Sequence, residues 1–171
     1  MRNGNGSGGK IIEVRVGGAR NSQIIARAVA ARMRGETTDI RHVALVAERT
    51  THLESSFFRT LHRELGRNGE LTILPDRRDR DAWNRALDGM SSLIILNANT
   101  LSEAHQRAIF VALAEQPKRF IYTITTMSPD DLAYRALWIS AFKTLFTPCV
   151  IRQTLGRAHG NSRPSRSQVR A

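Results

Sequence analysis

Strand-like and helix-like segments alternate through most of this chain, and that alternation limits the fold more than any other feature. Residues 40–47 are strand-like, and residues 53–65 have the apolar spacing of a helix that Gly66 closes. Residues 93–96 are wholly apolar, as in a strand that is buried on both faces. Strands separated by helices pair in parallel. The sequence therefore predicts an α/β fold, a three-layer sandwich with a mostly parallel sheet of about five strands.

The remaining segments extend this pattern. Ser22 is expected to cap a helix that runs to about Arg34 and ends at Gly35. Its apolar stripe is predicted to comprise Ile24, Ile25, Ala28, Val29 and Met33. Further strands are predicted at residues 71–74, 120–125 and 149–151, and further helices at residues 80–87, from Ser102 and from Ser128. Residues 10–16 alternate apolar and charged side chains, which predicts a short strand or an extended arm.

Composition divides the chain into three parts. Residues 1–19 are expected to form a flexible N-terminal arm, residues 20–153 the α/β domain, and residues 154–171 a disordered basic tail. No acidic residue follows Asp131, so the charge of the tail is not offset. Flexible basic segments bind phosphates without reading base sequence. The arginines that we expect to contact nucleic acid are Arg152, Arg157, Arg163, Arg166 and Arg170.

The chain is strongly basic, with a formal net charge of +11 and a pI near 11.4. Such a charge indicates a partner rich in negative charge, most often nucleic acid, although an acidic protein, a membrane surface or a GC-rich genome would also account for it. No apolar run approaches the roughly 20 residues that cross a bilayer. The lone cysteine, Cys149, excludes an internal disulfide and fits a reducing compartment. A soluble, cytoplasmic protein is expected.

The loop between the predicted strand at residues 40–47 and the predicted helix at residues 53–65 is unusual in its chemistry. Residues 43–62 have the layout of the strand, loop and helix that bind phosphate in nucleotide hydrolases. Such a loop needs glycines, a lysine and a Ser or Thr. This loop has no glycine, and its lysine position falls on Glu54 or Leu53. We interpret it as a vestigial nucleotide loop and expect no cofactor; it comprises Glu48, Arg49, Thr50, Thr51, His52, Leu53, Glu54 and Ser55.

Taken in order, these segments resemble the AAA+ ATPases, and more closely the central domain of the sigma-54 activators, the bacterial enhancer-binding proteins. VALVAERTTHLESSFFRTLH stands where that family has its P-loop, GMSSLIILNANTLSEAHQRAIFVALAE where it has the Walker B strand and next helix, and KRFIYTITTM where it has the sensor strand. The likeness covers roughly residues 20–159. The helical lid and the DNA-binding domain of the family have no counterpart. The resemblance implies a P-loop NTPase-like sheet.

Where the chain departs from this family, the residues of hydrolysis are lost. The Walker B acids are replaced by Asn97 together with Leu96 or Ala98, none of which performs acid–base chemistry. The sensor asparagine falls on Met127, and only Lys143 stands near the arginine fingers. Residues 75–89 are too short to hold the GAFTGA loop. The resemblance therefore implies a degenerate domain, with an inactive clamp-loader branch as an alternative ancestry.

Other candidate sites have ordinary structural explanations. Histidines occur at positions 42, 52, 62, 105 and 159, without cysteines at zinc spacing, so no metal site is predicted. Ser55 and Ser56 lie near His52, but no G-x-S-x-G turn surrounds them, and serines that start a helix are usually caps. Cys149 is expected to be a small buried residue rather than a nucleophile.

The favoured hypothesis is a non-catalytic regulatory protein, in transcription regulation, that acts by contact with an AAA+ or sigma-54-type partner. The alternative is a nucleic-acid-binding accessory protein that uses its basic tail. An enzyme, or a protein with residual ATP binding, is the least favoured interpretation.

Overall fold

A computed structural model describes residues 11–18, 21–47, 55–126 and 138–154. Strands and helices alternate along them, as the sequence predicts. The elements in chain order are β1 (Ile12–Gly17), α1 (Ser22–Glu36), β2 (His42–Ala47), α2 (Ser55–Glu64), β3 (Leu71–Ile73), α3 (Arg80–Asp88), β4 (Ser92–Leu96), α4 (Glu103–Glu115), β5 (Ile121–Thr126), α5 (Ser140–Lys143) and β6 (Phe146–Thr154). The helix predicted from Ser128 begins outside the described residues.

The described strands form one sheet in the order β1-β6-β2-β5-β4-β3, and every pairing is parallel. β2 lies inside the sheet, with Leu45 opposite Ile124 of β5 and Cys149 of β6. All six residues of β2 are buried, as expected for a strand covered on both faces. The predicted α/β class and parallel sheet are confirmed. The sheet has six described strands instead of about five.

The additional strand is β1, and it corrects the expected N-terminal arm. Residues 12–17 pair with β6, with Ile12 opposite Cys149 and Val16 opposite Gln153. Ile12, Val14 and Val16 are at most 5% exposed, because alternate residues of a strand point to one face and this face packs under α1. Residues 12–17 are therefore part of the folded domain, not of a flexible arm.

The sheet separates two apolar layers. α1 and α2 cover one face and pack against each other, together with Phe57, Phe58 and Tyr122. The other layer contains Trp83 and Leu87 of α3, Ile109 of α4 and Phe142 of α5. Helices on both faces of a parallel sheet make a three-layer sandwich. The predicted architecture is therefore confirmed.

Three local features differ from the prediction: the cap of α1, the apolar stripe of α1 and the extent of the last strand. Asn21, not Ser22, caps α1: its side-chain oxygen accepts hydrogen bonds from the backbone N–H groups of Gln23 at 2.9 Å and Ile24 at 3.3 Å. Ile24 is 54% exposed, so the expected apolar stripe is shifted. The buried side chains of α1 are Ile25, Ala26, Val29, Ala30 and Met33. The last strand extends over residues 146–154 rather than 149–151, because it pairs with a neighbour on each side.

Candidate functional site

In a parallel sheet the carboxyl ends of all strands meet at one edge, which is where open α/β sheets bind ligands. Here the described part of that edge includes the ends of β2, β4 and β5, at Ala47, Leu96 and Thr126. Of the predicted vestigial loop, residues 48–54 lie outside the described residues. Ser55 is described, and it is the exposed first residue of α2.

The residue after β4 has an unusual backbone. Asn97 has φ 51° and ψ 48°, and it is the only non-glycine residue with positive φ among those described. Asparagine tolerates this left-handed conformation better than most residues. The Asn97 carbonyl accepts hydrogen bonds from the N–H and the hydroxyl of Thr100, both at 2.9 Å. The position predicted to replace a Walker B acid therefore holds a neutral amide in a tight turn.

The neighbours of Asn97 are also uncharged. Leu96 is 48% exposed, whereas Ala98 is fully buried and its carbonyl accepts a hydrogen bond of 3.2 Å from Nε1 of Trp138. The Trp138 ring packs against Phe142, with ring centroids 4.9 Å apart. This aromatic contact holds the turn after β4 against the core. No member of the predicted Leu96, Asn97 and Ala98 set can transfer a proton at neutral pH.

Gln106 links the turn to the segment beyond the sheet. Its side chain is fully buried in α4, where Nε2 donates to the Leu101 carbonyl at 3.1 Å and Oε1 accepts from the Ile139 N–H at 2.8 Å. Both bonds involve backbone groups that would otherwise be costly to bury. Gln106 therefore joins α4 to the residue that precedes α5.

Two helix N-termini meet at the same edge. The hydroxyls of Ser22 in α1 and Ser56 in α2 lie 2.8 Å apart. The first turns of both helices lack acidic residues, and their sequences show no basic residue there either. Apart from the helix dipoles, the first turns of α1 and α2 therefore offer no charge that would hold a triphosphate.

Three of the histidines are described, and each is part of the packing. Nδ1 of His42 accepts a hydrogen bond of 3.0 Å from the Ile121 N–H, and burial, with the charges of Arg67 and Arg41, lowers its pKa to about 4. Nδ1 of His62 lies 2.7 Å from the Tyr122 hydroxyl.

The third described histidine is nearer the surface. Nδ1 of His105 lies 2.6 Å from the Ser102 hydroxyl, and its ring packs against Trp83. His52 and His159 are outside the described residues. Within the described ranges no three His, Cys, Asp or Glu side chains form a group that could hold a metal.

Cys149 occupies the centre of β6. It is fully buried, and burial raises the pKa of its thiol to about 12. A thiol with so high a pKa is protonated at neutral pH and is a poor nucleophile. The prediction that Cys149 is a small buried residue is confirmed.

The predicted nucleic-acid contacts lie largely outside the described residues. Arg157, Arg163, Arg166 and Arg170 all lie there. Arg152 is in β6, partly buried, and its Nε lies 3.3 Å from a carboxylate oxygen of Glu13 in β1. That arginine therefore contributes to the pairing of two strands.

Sequence reasoning missed a second group of basic residues, on the surface formed by α1 and α2. We name it the α1–α2 arginine patch, and its members are Arg27, Arg34, Arg59, Arg63 and Arg67. The available signal was the four-residue spacing of Arg59 and Arg63, which places their side chains on one helical face; Arg67 lies beyond the end of α2. The contribution of α1 could not be foreseen, because it depends on how the two helices pack.

No protein-family model and no curated protein matches the chain. Two solved structures of RuvB from Thermotoga maritima are similar to part of it. One is a RuvB variant, 21% identical with a TM-score of 0.43, covering 77% of this chain and 42% of that chain. The other, described as the Holliday junction branch migration motor, is 23% identical with a TM-score of 0.42, covering 80% of this chain and 45% of that chain. This chain thus spans less than half the length of either.

The sequence identities and TM-scores of these two structures are too low to support an argument about activity. The assignment of this chain to the α/β class depends on its own parallel sheet and the helices that cover it. Among the described residues, no helix combines the length and the apolar character needed to cross a membrane.

Proposed function

We propose that this protein is a non-catalytic regulator built on a degenerate nucleotide-hydrolase-like domain. It acts in transcription regulation by contact with an AAA+ or sigma-54-type partner, and it uses neither nucleotide nor metal. The observation that carries this proposal is Asn97, a neutral amide in a left-handed turn at the carboxyl end of β4.

Hydrolysis of a nucleoside triphosphate needs a carboxylate near the γ-phosphate to hold magnesium, and a group that orients water. At the end of β4 the corresponding positions present the Leu96 side chain to solvent and the Asn97 amide. An amide is neither a base nor a strong magnesium ligand. The sequence between β2 and α2 supports the same interpretation. Glu48 and Glu54 of the vestigial nucleotide loop carry negative charges, which repel phosphates.

Exposed apolar side chains near this edge support a role in protein contact. Leu96 is 48% exposed and Ile73, in the neighbouring strand β3, is 49% exposed. Ile73 pairs with Ile94, and Leu96 lies two residues farther along β4, so the two side chains point to the same face of the sheet. Exposed apolar side chains that lie together are typical of interaction surfaces.

The catalytic part of the proposal is tested by measuring thermal stability and phosphate release with ATP and magnesium. We expect no change in the free energy of unfolding at millimolar ATP and no release above the buffer rate. A ligand present at about 100 times its Kd would stabilise the protein by about 2.7 kcal/mol, and a shift of that size would contradict the proposal. Asn97→Asp serves as the matched variant, since it restores a carboxylate without adding volume.

The partner contact is tested with the purified AAA+ domain of a sigma-54 activator, whose ATPase rate is measured with increasing amounts of this protein. We expect the wild-type protein to change that rate and Leu96→Asp to lose the effect. Met90→Asp is the control, because Met90 is 84% exposed but precedes β4 at the opposite edge of the sheet. An unchanged rate with the wild-type protein, or equal losses in both variants, would contradict the proposal.

A second candidate function is nucleic-acid binding by the C-terminal tail. It is favoured by the composition beyond β6, where four arginines follow Thr154 without an acidic residue. Binding to DNA is measured with the full chain and with a chain that ends at Thr154, at two salt concentrations. A salt-sensitive affinity that disappears with the tail supports this candidate, and an affinity that survives the truncation contradicts it.

A further inference from the structure

The α1–α2 arginine patch gathers guanidinium groups from two helices around one carboxylate. Nε of Arg27 in α1 lies 3.7 Å from a carboxylate oxygen of Glu64 in α2, and a terminal nitrogen of Arg63 lies 3.9 Å from the same oxygen. Arg34 of α1 donates a hydrogen bond to the backbone carbonyl of Glu64. The Glu64 carboxylate thus faces two guanidinium groups and its backbone carbonyl a third, so the surface keeps a positive surplus.

Arg59 extends the patch along α2. It lies one turn before Arg63, so their attachment points are about 6 Å apart along the helix axis. Both side chains are exposed and border an open cavity of about 410 Å³ between the end of α2 and the start of β3. The cavity lies at the amino edge of the sheet, opposite the edge that carries Asn97.

Arg67 supplies a fixed charge at the base of this cavity. It is 7% exposed, its guanidinium donates to the Tyr122 hydroxyl at 3.0 Å and to the Ile40 carbonyl at 2.6 Å, and it lies 4.0 Å from the centre of the Phe120 ring. These partners are neutral, and within the described ranges Arg67 forms no ion pair. Buried charges are usually paired with an opposite charge. The positive charge of Arg67 is therefore not paired with a negative charge within the described ranges, and it attracts an anion that enters the cavity.

The exposed arginines of the patch contribute little to the stability of the fold, unlike the buried Arg67. Exposed ion pairs contribute little to stability, and like charges four residues apart on a helix oppose it. A comparison within the chain shows the difference: in the loop and helix start at residues 76–81, three arginines alternate with three aspartates, so that charge is balanced in the sequence itself. The α1–α2 arginine patch has no such balance, although Glu64 and Glu70 lie beside it.

We propose that the α1–α2 arginine patch binds the phosphate backbone of a nucleic acid, with Arg59 and Arg63 contacting phosphates beside the cavity and Arg27 and Arg34 extending the contact across α1. Guanidinium groups match the geometry of phosphate oxygens, and several of them spread over a helical surface bind a repeating polyanion better than a single small anion. The contact reads no base sequence, because the patch presents only groups suited to phosphate. This site is independent of the carboxyl edge and of the tail, and it requires neither proposal above.

The test uses the full chain and a fluorescent DNA duplex of about 20 base pairs, with anisotropy measured between about 50 and 200 mM salt. Arg59→Gln/Arg63→Gln removes two exposed charges of the patch. We expect it to weaken binding at least about tenfold at the lowest salt and to reduce the slope of log affinity against log salt by about 2, as two lost phosphate contacts predict. Far-UV circular dichroism confirms that the variant is folded.

The matched control is Arg78→Gln/Arg80→Gln, which removes the same charge from exposed positions of the balanced loop. We expect this control to leave the slope unchanged. A second comparison, Arg163→Gln/Arg166→Gln, separates the patch from the tail: if the slope falls only in the tail variant, the patch proposal is overturned and the tail candidate stands. Equal losses in the patch and control variants, or no binding by the wild-type chain at about 50 mM salt, would also overturn it. So would binding to vesicles containing phosphatidylserine but not to DNA.

Discussion

A terminal nitrogen of Arg67 donates a hydrogen bond of 3.0 Å to the phenolic oxygen of Tyr122, and this bond joins the loop after α2 to the start of β5. The same oxygen lies 2.7 Å from Nδ1 of His62. A cation, a phenol and an imidazole thus share one buried site at the amino edge of the sheet. Burial raises the pKa of Tyr122 and lowers that of His62, so both side chains are neutral at physiological pH.

Replacing Arg67 should destabilise the protein more than replacing any exposed arginine. Arg67→Met keeps an apolar stem beside Phe120 but leaves the carbonyls of Ile40 and Arg41 without their side-chain donor. We expect the free energy of unfolding to fall by about 3 kcal/mol, as for buried polar groups left unpaired. Urea denaturation measures this change. Arg63→Met is the control and should change stability by less than about 0.5 kcal/mol; similar losses in both would contradict this account.

Stability should fall as pH decreases below neutrality. His42 is buried and its pKa is lowered from 6.5 to about 4, so the unfolded chain binds a proton at a pH where the folded protein does not. Stability from this group is fully present above pH 6.5 and is lost as pH falls toward 4, by up to about 3 kcal/mol. Urea denaturation across this range measures the slope. His42→Gln should flatten it, and an unchanged slope in that variant would assign the effect to other groups.

The effect of a substitution at Asn97 on stability should depend on how readily the new residue adopts a positive φ. Asn97→Ala places a residue with a Cβ and no polar side chain at φ 51°, and we expect a loss of about 1 kcal/mol. Asn97→Gly should be neutral or slightly stabilising, because glycine adopts positive φ without strain. Thermal denaturation of the two variants measures the difference. If both lose stability equally, the amide rather than the backbone holds the turn.

Cys149 should be inert toward alkylating reagents in the folded protein. Its thiol is fully buried and its pKa is raised to about 12, so at pH 8 almost no thiolate is present or accessible. Labelling by iodoacetamide should therefore follow the rate of unfolding, and it should accelerate in urea. Rapid labelling without denaturant would show that β6 opens locally. Mass spectrometry of the intact chain follows the modification.

The parts of this fold that local pattern determines were predicted well. Residues 93–96 are wholly apolar and form most of β4, and the helix predicted at residues 80–87 is present as α3. Predictions from local sequence are wrong where two local preferences conflict, as with a proline inside a strand. The last strand is predicted to begin at residue 149, yet β6 includes Pro148, since Pro148 lies opposite Ala44 of β2 and pairing with β1 starts only at Cys149.

The α1–α2 arginine patch could not be predicted from the sequence, and here the reason is different. Arg27 and Glu64 lie in different helices, far apart in sequence, and meet only because α1 packs on α2. Likewise, the partner of Gln106 lies in the segment before α5, which no periodic pattern connects to α4. Spacing along one helix is visible in a sequence, whereas contacts between elements depend on the topology of the sheet.

The position of β6 between β1 and β2 has a consequence for how the chain matures during synthesis. β1 has no described neighbour in the sheet other than β6, so during synthesis it has no strand partner until Phe146–Thr154 has emerged from the ribosome. A chain halted before residue 146 would leave β1 and one side of β2 without their partner. Nascent copies of this protein therefore expose unpaired strand edges to aggregation and to chaperones until β6 has been made.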